Sequence, residues 1–192
     1  SYNSKLTKCG DVFVAITGFQ TDGHKYIPSA VENGAVCVVC ERPQENIGVP
    51  CVIVENSRKA LAEMSCNFYD NPTKKFNLIG VTGTNGKTTV TYLVKAILEA
   101  NGEKVGLMGT NKNMIGDKEY HTERTTPESL ELQQFFSDMV KEECTYGIME
   151  VSSHSLELCR VWGCNYKVGA FTNLTQDHLD FHGDMENYFL AK

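Results

Sequence analysis

The stretch GVTGTNGKTT at residues 80–89 decides the fold of this 192-residue chain. Apolar residues at 76–81 lead into it as a predicted strand, and apolar residues at helical spacing follow it until Gly102. A strand that ends in glycines and enters a helix at Gly-Lys-Thr directs backbone N–H groups and the positive end of the helix at a phosphate. The stretch therefore predicts a nucleotide-binding loop. Because Val81 stands where the strict motif has its first glycine, a glycine-rich turn that binds no nucleotide remains the alternative.

The candidate nucleotide-binding residues are Gly83, Thr84, Asn85, Gly86, Lys87, Thr88 and Thr89. In a phosphate loop the lysine reaches the outer phosphates and the hydroxyl after it binds Mg²⁺, so these roles are predicted for Lys87 and Thr88. Glu150 lies in an apolar strand predicted at 146–151, and His178 follows another at 168–171, where the carboxyl edge of a parallel sheet collects ligands. Taken alone, each has a simpler explanation: a cap or surface charge for Glu150, a structural loop histidine for His178.

Strand and helix signals alternate along the whole chain, which predicts an α/β fold of parallel sheets covered by helices. Strands are predicted at 11–17, 35–40, 51–54, 76–81, 105–108, 146–151 and 168–171. A helix predicted at 57–69 ends at Asn71-Pro72, because proline disfavours helix at the residue before it. The domain boundary is therefore placed at 71–75, which gives domains at 1–73 and 74–192.

Three further local features concern the second half of the chain. A polar turn segment is predicted at 111–123. Thr126 and Pro127 are predicted as the N-cap and first residue of a helix, and Asp184 as the cap of the last helix.

Composition and charge exclude several classes of protein. The chain has 18 basic and 24 acidic residues and a net charge of −6, which argues against nucleic acid held by bulk electrostatics. No stretch approaches the roughly 20 apolar residues of a membrane span, and no signal peptide pattern opens the sequence. We therefore expect a cytoplasmic protein, a monomer, with neither a nucleic-acid nor a membrane partner.

The eight cysteines raise the question of metal binding or disulfides. Cys37 and Cys40 form a C-x-x-C pair, but within a predicted strand, where positions three apart face opposite sides of the sheet. No second pair with zinc-ligand spacing follows. Free, buried thiols in a reducing compartment are predicted instead.

Several segments of the chain resemble the Mur ligases of bacterial cell-wall synthesis. They are residues 80–89, 125–129 (TTPES), 150–156 (EVSSHSL) and 171–180 (FTNLTQDHLD), the last extended by 183–185 and 188–192. Residues 10–15 with 22–24 resemble the uridine-binding domain of that family. The resemblance implies a small N-terminal α/β domain that binds UDP-MurNAc and an incomplete, P-loop-type parallel-sheet ATPase domain. The family's C-terminal domain is missing from this sequence, so the isolated fragment is expected to be inactive.

The resemblance also implies a reaction. ATP phosphorylates the free D-Glu carboxylate of UDP-MurNAc-L-Ala-D-Glu, and the amine of a diamino acid, L-lysine or meso-diaminopimelate, attacks the acyl phosphate. By the same match, Thr88 and Glu150 hold one Mg²⁺ and His178 helps to hold a second. Lys192 matches a lysine that the family carbamylates, so it is a further metal ligand and, with Lys87, Glu150 and His178, a catalytic residue. Without the resemblance, Lys192 is a solvated lysine at a helix end.

Substrate-binding residues are implied in the same way: Ser4, Thr125, Thr126, Ser152 and Arg160. A planar guanidinium such as that of Arg160 suits a phosphate or carboxylate. Around Ser4 the family's usual Asp-Ser-Arg reads Asn3-Ser4-Lys5 here, which makes this the weakest match. The choice between lysine and diaminopimelate stays open. The alternative function is a P-loop switch that couples nucleotide binding to a partner, although no guanine-reading motif is found.

Overall fold

The computed structural model describes residues 1–18, 21–121 and 125–192, which form two compact units, Ser1–Leu61 and Ala62–Lys192. The division falls within helix α2 (Ser57–Phe68), earlier in the chain than the boundary expected at 71–75. In the second half of α2, Glu63 accepts a hydrogen bond of 3.1 Å from Trp162 Nε1, and Cys66 Sγ lies 3.9 Å from Trp162 O. The boundary between the two units therefore follows the packing of α2 side chains against Trp162, not the end of the helix.

The first unit contains a three-stranded parallel sheet in the order β1-β2-β3. Its strands are β1 (Val12–Val14), β2 (Cys37–Cys40) and β3 (Cys51–Ile53). Short 3-10 helices cover Ser4–Leu6 and Gly23–Tyr26, and the second continues into α1 (Ile27–Glu32). Phe13, Ile27 and Val38 form the centre of the core, so α1 packs on the sheet.

The second unit contains a six-stranded sheet in the order β7-β6-β5-β8-β4-β9. Its strands are β4 (Asn77–Thr82), β5 (Val105–Met108), β6 (Asn113–Ile115), β7 (Lys118–Tyr120), β8 (Tyr146–Glu150) and β9 (Tyr166–Phe171). The helices are α3 (Lys87–Ala100), α4 (Ser129–Lys141), α5 (Ser153–Glu157), α6 (Leu179–His182) and α7 (Met185–Leu190). Strands β5, β8, β4 and β9 are parallel, as the alternation of strands and helices predicts.

The central strands of this sheet are covered on both faces. Val81, Leu107 and Ile148 pack with the apolar side chains of α3 on one face, and Phe136 and Met139 of α4 contribute to the core on the other. Covering both faces leaves the carboxyl ends of the parallel strands as the open edge, the usual place for a ligand site in such sheets.

Two local predictions in this unit are wrong. The polar segment at 111–123 contains an antiparallel hairpin, because β6 pairs with β5 and buries Asn113 and Ile115 (residues 122–124 lie outside those described). Thr126 is not the N-cap of α4: that position belongs to Glu128, and the helix begins at Ser129, two residues later than predicted. The cap of α7 is confirmed, since the Asp184 side chain accepts a hydrogen bond from Asn187 N.

All eight cysteines are free thiols, as predicted, but burial is confirmed for only part of them. Cys40, Cys66 and Cys144 are buried, whereas Cys9 is exposed. None of the helices in the described part of the chain is both long and apolar enough to cross a membrane.

Candidate active site

The loop at 83–86 joins β4 to α3 and leaves the start of the helix open. Gly86, in the left-handed region with φ of 84°, is the N-cap of α3, and no side chain caps the helix. The first helical bond runs from Val90 N to Gly86 O, so the N–H groups of the first turn have no acceptor within the helix. Unbonded donors at the positive end of a 14-residue helix fit a phosphate group.

Thr172 and Asn173, which follow β9, form hydrogen bonds to this loop. Thr84 N donates to Asn173 O over 2.9 Å, and Asn85 N donates to Asn173 Oδ1 over 3.0 Å. The Thr172 hydroxyl donates to Asn85 O, and a Cβ added at Gly83 would lie 2.0 Å from Thr172 Oγ1. Thr172 and Asn173 were not predicted as site residues, although they stand in the quoted segment 171–180, just past a strand end.

The structure brings Lys87 and Lys192 to the same carbonyl. Lys87 Nζ donates to Gly83 O (2.9 Å) and Thr84 O (2.8 Å). Lys192 Nζ donates to Gly83 O (3.0 Å) and Thr82 Oγ1 (3.3 Å). Burial, together with the charge of Lys87, lowers the pKa of the Lys192 amine to about 8. Much more of this amine is therefore neutral near pH 8 than of an exposed lysine.

Glu150 is a buried carboxylate at the carboxyl end of β8, only 1% exposed. Pairing of Val81 with Glu150 places it beside the loop, where both of its oxygens lie 3.0 Å from Thr88 Oγ1. The amide and hydroxyl of Thr110 also donate to it, each over 3.0 Å. At Gly109 a Cβ would approach Glu150 Oε1 to 2.3 Å, so the chain passes close to the carboxylate. Thr110 is a contact that no sequence signal identified.

The groups that donate to the Glu150 oxygens are neutral hydroxyl and amide groups. Within residues 1–18, 21–121 and 125–192, the carboxylate therefore has no positively charged partner. A buried charge of this kind is costly unless a cation compensates it. A carboxylate beside a hydroxyl is a donor set that suits Mg²⁺, which usually takes one or two carboxylates and keeps several waters. Thr88 and Glu150 therefore fit the predicted metal.

The other two predicted metal ligands are not brought to this pair. His178 lies at the start of α6 in the left-handed region, with its Nε2 3.5 Å from Asp177 Oδ2. Among the contacts of the described residues none joins His178 to Glu150, and these residues contain no group of three or more His, Cys, Asp or Glu that could hold a metal. Lys192, on the loop carbonyl, is close to the phosphate side of the site instead.

His178 belongs to a cluster of rings. The ring centroids of His154 and His178 are 4.8 Å apart, and those of His182 and Tyr188 are 5.2 Å apart. Burial, followed by the neighbouring His178 and His182, lowers the pKa of His154. Burial also lowers the pKa of His182, whose Nε2 lies 2.9 Å from Ser153 Oγ. Both rings therefore favour the neutral form.

Four of the predicted substrate-binding residues meet next to Glu150. The Thr126 hydroxyl donates to Glu150 O over 2.9 Å and accepts from Ser152 N over 3.3 Å. Arg160 Nη1 donates to Thr126 O, and Thr125 Oγ1 lies 3.1 Å from Thr110 Oγ1.

Arg160 also forms an ion pair with Glu128, with Nε and Oε1 2.9 Å apart and both side chains largely buried. This partner was not predicted. Ser4 lies in the first unit, where it is buried and its carbonyl accepts from Asn33 Nδ2.

Two family descriptions match the sequence. Residues 1–69 match "Mur ligase family, catalytic domain", and residues 81–192 match "Mur ligase middle domain". The chain belongs to the Mur ligase family. The resemblance expected from the sequence motifs is confirmed.

Individual Mur ligases are similar to the whole of this chain. The UDP-N-acetylmuramoyl-L-alanyl-D-glutamate–2,6-diaminopimelate ligase of Clostridium botulinum is 57% identical over 100% of the chain, and the corresponding protein of Caldanaerobacter subterraneus is 56% identical. The chain spans 40% of the length of each of these relatives.

Solved structures of Mur ligases share the fold. A structure of a 2,6-diaminopimelate ligase of this type superposes with a TM-score of 0.84 at 31% identity, covering all of this chain and 39% of that one. The MurF ligase of Thermotoga maritima in complex with ADP gives a TM-score of 0.61 at 25% identity, covering all of this chain and 41% of that one. The predicted α/β architecture of parallel-sheet domains is therefore confirmed.

Proposed function

We propose that this chain is part of an ATP-dependent ligase that adds a diamino acid, meso-diaminopimelate, to UDP-MurNAc-L-Ala-D-Glu through an acyl phosphate. The observation that carries the proposal is the contact of the Thr88 hydroxyl with the buried carboxylate of Glu150, beside an uncapped helix and Lys87. Diaminopimelate rather than lysine is proposed because the relatives at 57% and 56% identity carry it in their names.

In this proposal the loop binds the phosphates of ATP. The N–H groups of the first turn of α3 and the Lys87 ammonium face negative charge, while Thr88 and Glu150 hold Mg²⁺. ATP supplies the phosphoryl group and Mg²⁺ neutralises charge on it during transfer to the substrate carboxylate. Positioning and charge neutralisation are the main contributions that a protein makes to such a transfer.

Arg160 binds an anionic part of the substrate beside this site. The ion pair with Glu128 and the hydrogen bond to the Thr126 carbonyl hold the plane of the guanidinium, and a planar guanidinium suits a carboxylate or phosphate. Thr125 and Ser152 join Arg160 as substrate-binding residues, and Ser4 is the proposed residue of the uridine-binding domain.

Lys192 is proposed to be carbamylated. Its neutral amine attacks CO₂, an N–C bond forms, and the proton is released to solvent, which leaves a carbamate with two oxygens. A pKa lowered to about 8 supports this step because only the neutral amine is a nucleophile. The carbamate would supply oxygen ligands suited to Mg²⁺, with His178 as the proposed ligand of a second ion.

The protein is further proposed to be a cytoplasmic monomer that works without nucleic acid or membrane. Eight free thiols support a reducing compartment.

The experiment is an assay of the intact protein with ATP, MgCl₂ and UDP-MurNAc-L-Ala-D-Glu, supplied in parallel with meso-diaminopimelate, L-lysine or no amino acid. We expect ADP release and a product whose mass has increased by one diaminopimelyl residue. Product with lysine alone would contradict the amino-acid assignment. ATP binding or hydrolysis without an amide product from either amino acid would favour a P-loop switch.

A further inference from the structure

Tyr188 contacts both the loop at 83–86 and Lys192, although the proposed reaction gives this tyrosine no role. It lies on α7, is 1% exposed, and is the largest of the fully buried side chains. Its hydroxyl lies 3.0 Å from Thr84 Oγ1 in the phosphate loop, and Lys192 Nζ lies 5.0 Å from the centroid of its ring. One side chain therefore touches both the loop and the lysine.

The direction of the hydroxyl contact follows from the other partners of Thr84. Thr84 Oγ1 donates its single proton to Thr175 O over 3.1 Å and accepts from Thr175 N over 3.0 Å. A threonine hydroxyl has one proton and two lone pairs, so Tyr188 must donate and Thr84 must accept. The tyrosine thus completes the hydrogen bonding of a loop side chain that is itself buried.

The ring makes a second and separable contact. Lys192 lies two residues beyond the end of α7, where the chain places its Nζ over the Tyr188 ring, 5.0 Å from the centroid. While Lys192 is unmodified and protonated, its ammonium lies within the roughly 6 Å at which the π face attracts a cation. The centroid of the same ring lies 5.2 Å from that of the His182 ring, so His182 packs against it as well.

We propose that Tyr188 is a positioning residue that couples the phosphate loop to Lys192, through its hydroxyl on Thr84 and its ring beneath the lysine Nζ. The proposal deepens the proposed function and rests on it for the role of Lys192. It predicts that the affinity for ATP depends on the Tyr188 hydroxyl. It also predicts that removal of the Tyr188 ring changes this affinity by an amount that depends on whether Lys192 is present.

The test measures the Kd of ATP by calorimetry on the intact protein, which requires no ligase turnover. Tyr188→Phe removes the hydroxyl and keeps the ring, and we expect it to weaken ATP binding about fivefold because one net hydrogen bond to the loop is lost. Tyr92→Phe on α3 is the matched control, since the described residues offer its buried hydroxyl no hydrogen-bond partner, and we expect its Kd to be unchanged. Equal Kd values for wild type and Tyr188→Phe would overturn the loop contact.

A double-mutant cycle tests the coupling. We compare the Kd of ATP for wild type, Tyr188→Leu, Lys192→Ala and the double variant, after melting curves show that each is folded. The proposal expects a non-additive result, with Tyr188→Leu changing Kd at least threefold less when Lys192 is absent. Additive effects would overturn the proposal. If Tyr188→Leu does not fold, the same cycle is run with Tyr188→Phe and Thr84→Val, whose effects are expected to be non-additive because both remove the Tyr188–Thr84 hydrogen bond.

A ligase assay separates failure of the Tyr188 proposal from failure of the proposed function. If the cycles are non-additive but no amide forms with either diamino acid, the coupling by Tyr188 stands and the ligase assignment fails. If amide forms at normal rates but the cycles are additive, the ligase assignment stands and Tyr188 is a merely structural residue.

Discussion

The Thr88 hydroxyl lies 3.0 Å from each carboxylate oxygen of Glu150, although the two residues are 62 positions apart in the chain. Parallel pairing of β4 with β8 brings them together, because Thr88 lies in the first turn of the helix after β4 and Glu150 ends β8. The result is a buried carboxylate beside the glycine-rich loop at 83–86, and four predictions concern this site.

Glu150→Gln should abolish the effect of Mg²⁺. The amide keeps the shape of the side chain but removes the charge that attracts the cation, so we expect kcat to fall by at least about 100-fold. Mg²⁺ with ADP should raise the melting temperature of the wild type and leave that of the variant unchanged. Glu143→Gln, at an exposed position after α4, is the control and should behave as wild type. Equal Mg²⁺ stabilisation of both variants would contradict the metal assignment.

Lys87→Ala should remove activity without unfolding the protein. The ammonium is only partly buried and its partners are two loop carbonyls, so we expect the melting temperature to change little. Loss of its charge from the phosphates should lower kcat/KM by roughly 1,000-fold. Lys167→Ala, on the exposed edge strand β9, controls for loss of a positive charge. A Lys87→Ala enzyme with near wild-type turnover would refute the phosphate-loop assignment.

The two glycines of the loop should differ in their tolerance of a methyl group. At Gly83, φ is 132° and a Cβ would lie 2.0 Å from Thr172 Oγ1, so Gly83→Ala should lower the free energy of unfolding by roughly 3 kcal/mol. At Gly86, φ is 84° and nothing lies within 4 Å, so Gly86→Ala should cost only the conformational strain of about 1 kcal/mol. Urea denaturation measures both. Equal losses would show that the contact with Thr172 does not restrict the loop.

Lys192→Ala should be rescued by a small carboxylate. If the lysine acts through carbamate oxygens, the alanine variant of the intact enzyme loses activity, and acetate recovers part of it by placing oxygens in the vacated volume. Chloride at the same ionic strength is the control, because it adds salt without carboxylate oxygens. Unchanged activity of Lys192→Ala would refute a role for its carbamate in the reaction, and rescue by chloride would point to a general salt effect.

Asp22 should make the first unit sensitive to acid. The Arg42 guanidinium, helped by the His24 amide, holds the pKa of this carboxyl well below its usual 3.8. Because the folded pKa is the lower one, the stabilisation is present above about pH 4 and is lost as the pH falls towards the folded value.

Asp22→Asn should therefore lower the free energy of unfolding at pH 7 by about 1 kcal/mol, because solvent screens the ion pair with the exposed Arg42, and flatten its decline between about pH 5 and pH 2. The amide oxygen still accepts from His24 N, so the helix cap is retained. Denaturant titrations at several pH values measure the effect, and Asp117→Asn, at an exposed position between β6 and β7, is the control. Parallel pH profiles for wild type and Asp22→Asn would contradict the prediction.

Local sequence was sufficient for most of the elements. Strand β5 was predicted with the bounds that it has, and the β4–loop–α3 unit was predicted from glycines and apolar spacing. These signals are local because glycine conformations and helical periodicity depend on neighbouring residues alone.

The predictions from local sequence failed where contacts with residues distant in the chain determine the local structure. The segment at 111–123 reads as polar turn, yet pairing with β5 makes it a hairpin with Ile115 buried. Thr126 reads as a helix cap, but its hydroxyl instead donates to Glu150 O, 24 positions away. Strand propensity and capping preference are weak compared with tertiary hydrogen bonds of this kind.

The sequence by itself determined the glycine-rich loop between a strand and a helix of an α/β fold and, through its motifs, that the chain belongs with the Mur ligases. Only the tertiary structure decided which groups meet at the loop: Glu150 on Thr88, and Tyr188 on Thr84 across 104 positions. The reason is physical. A loop and its helix are set by adjacent residues, whereas the register of parallel strands and the docking of α7 depend on packing between segments far apart in the chain.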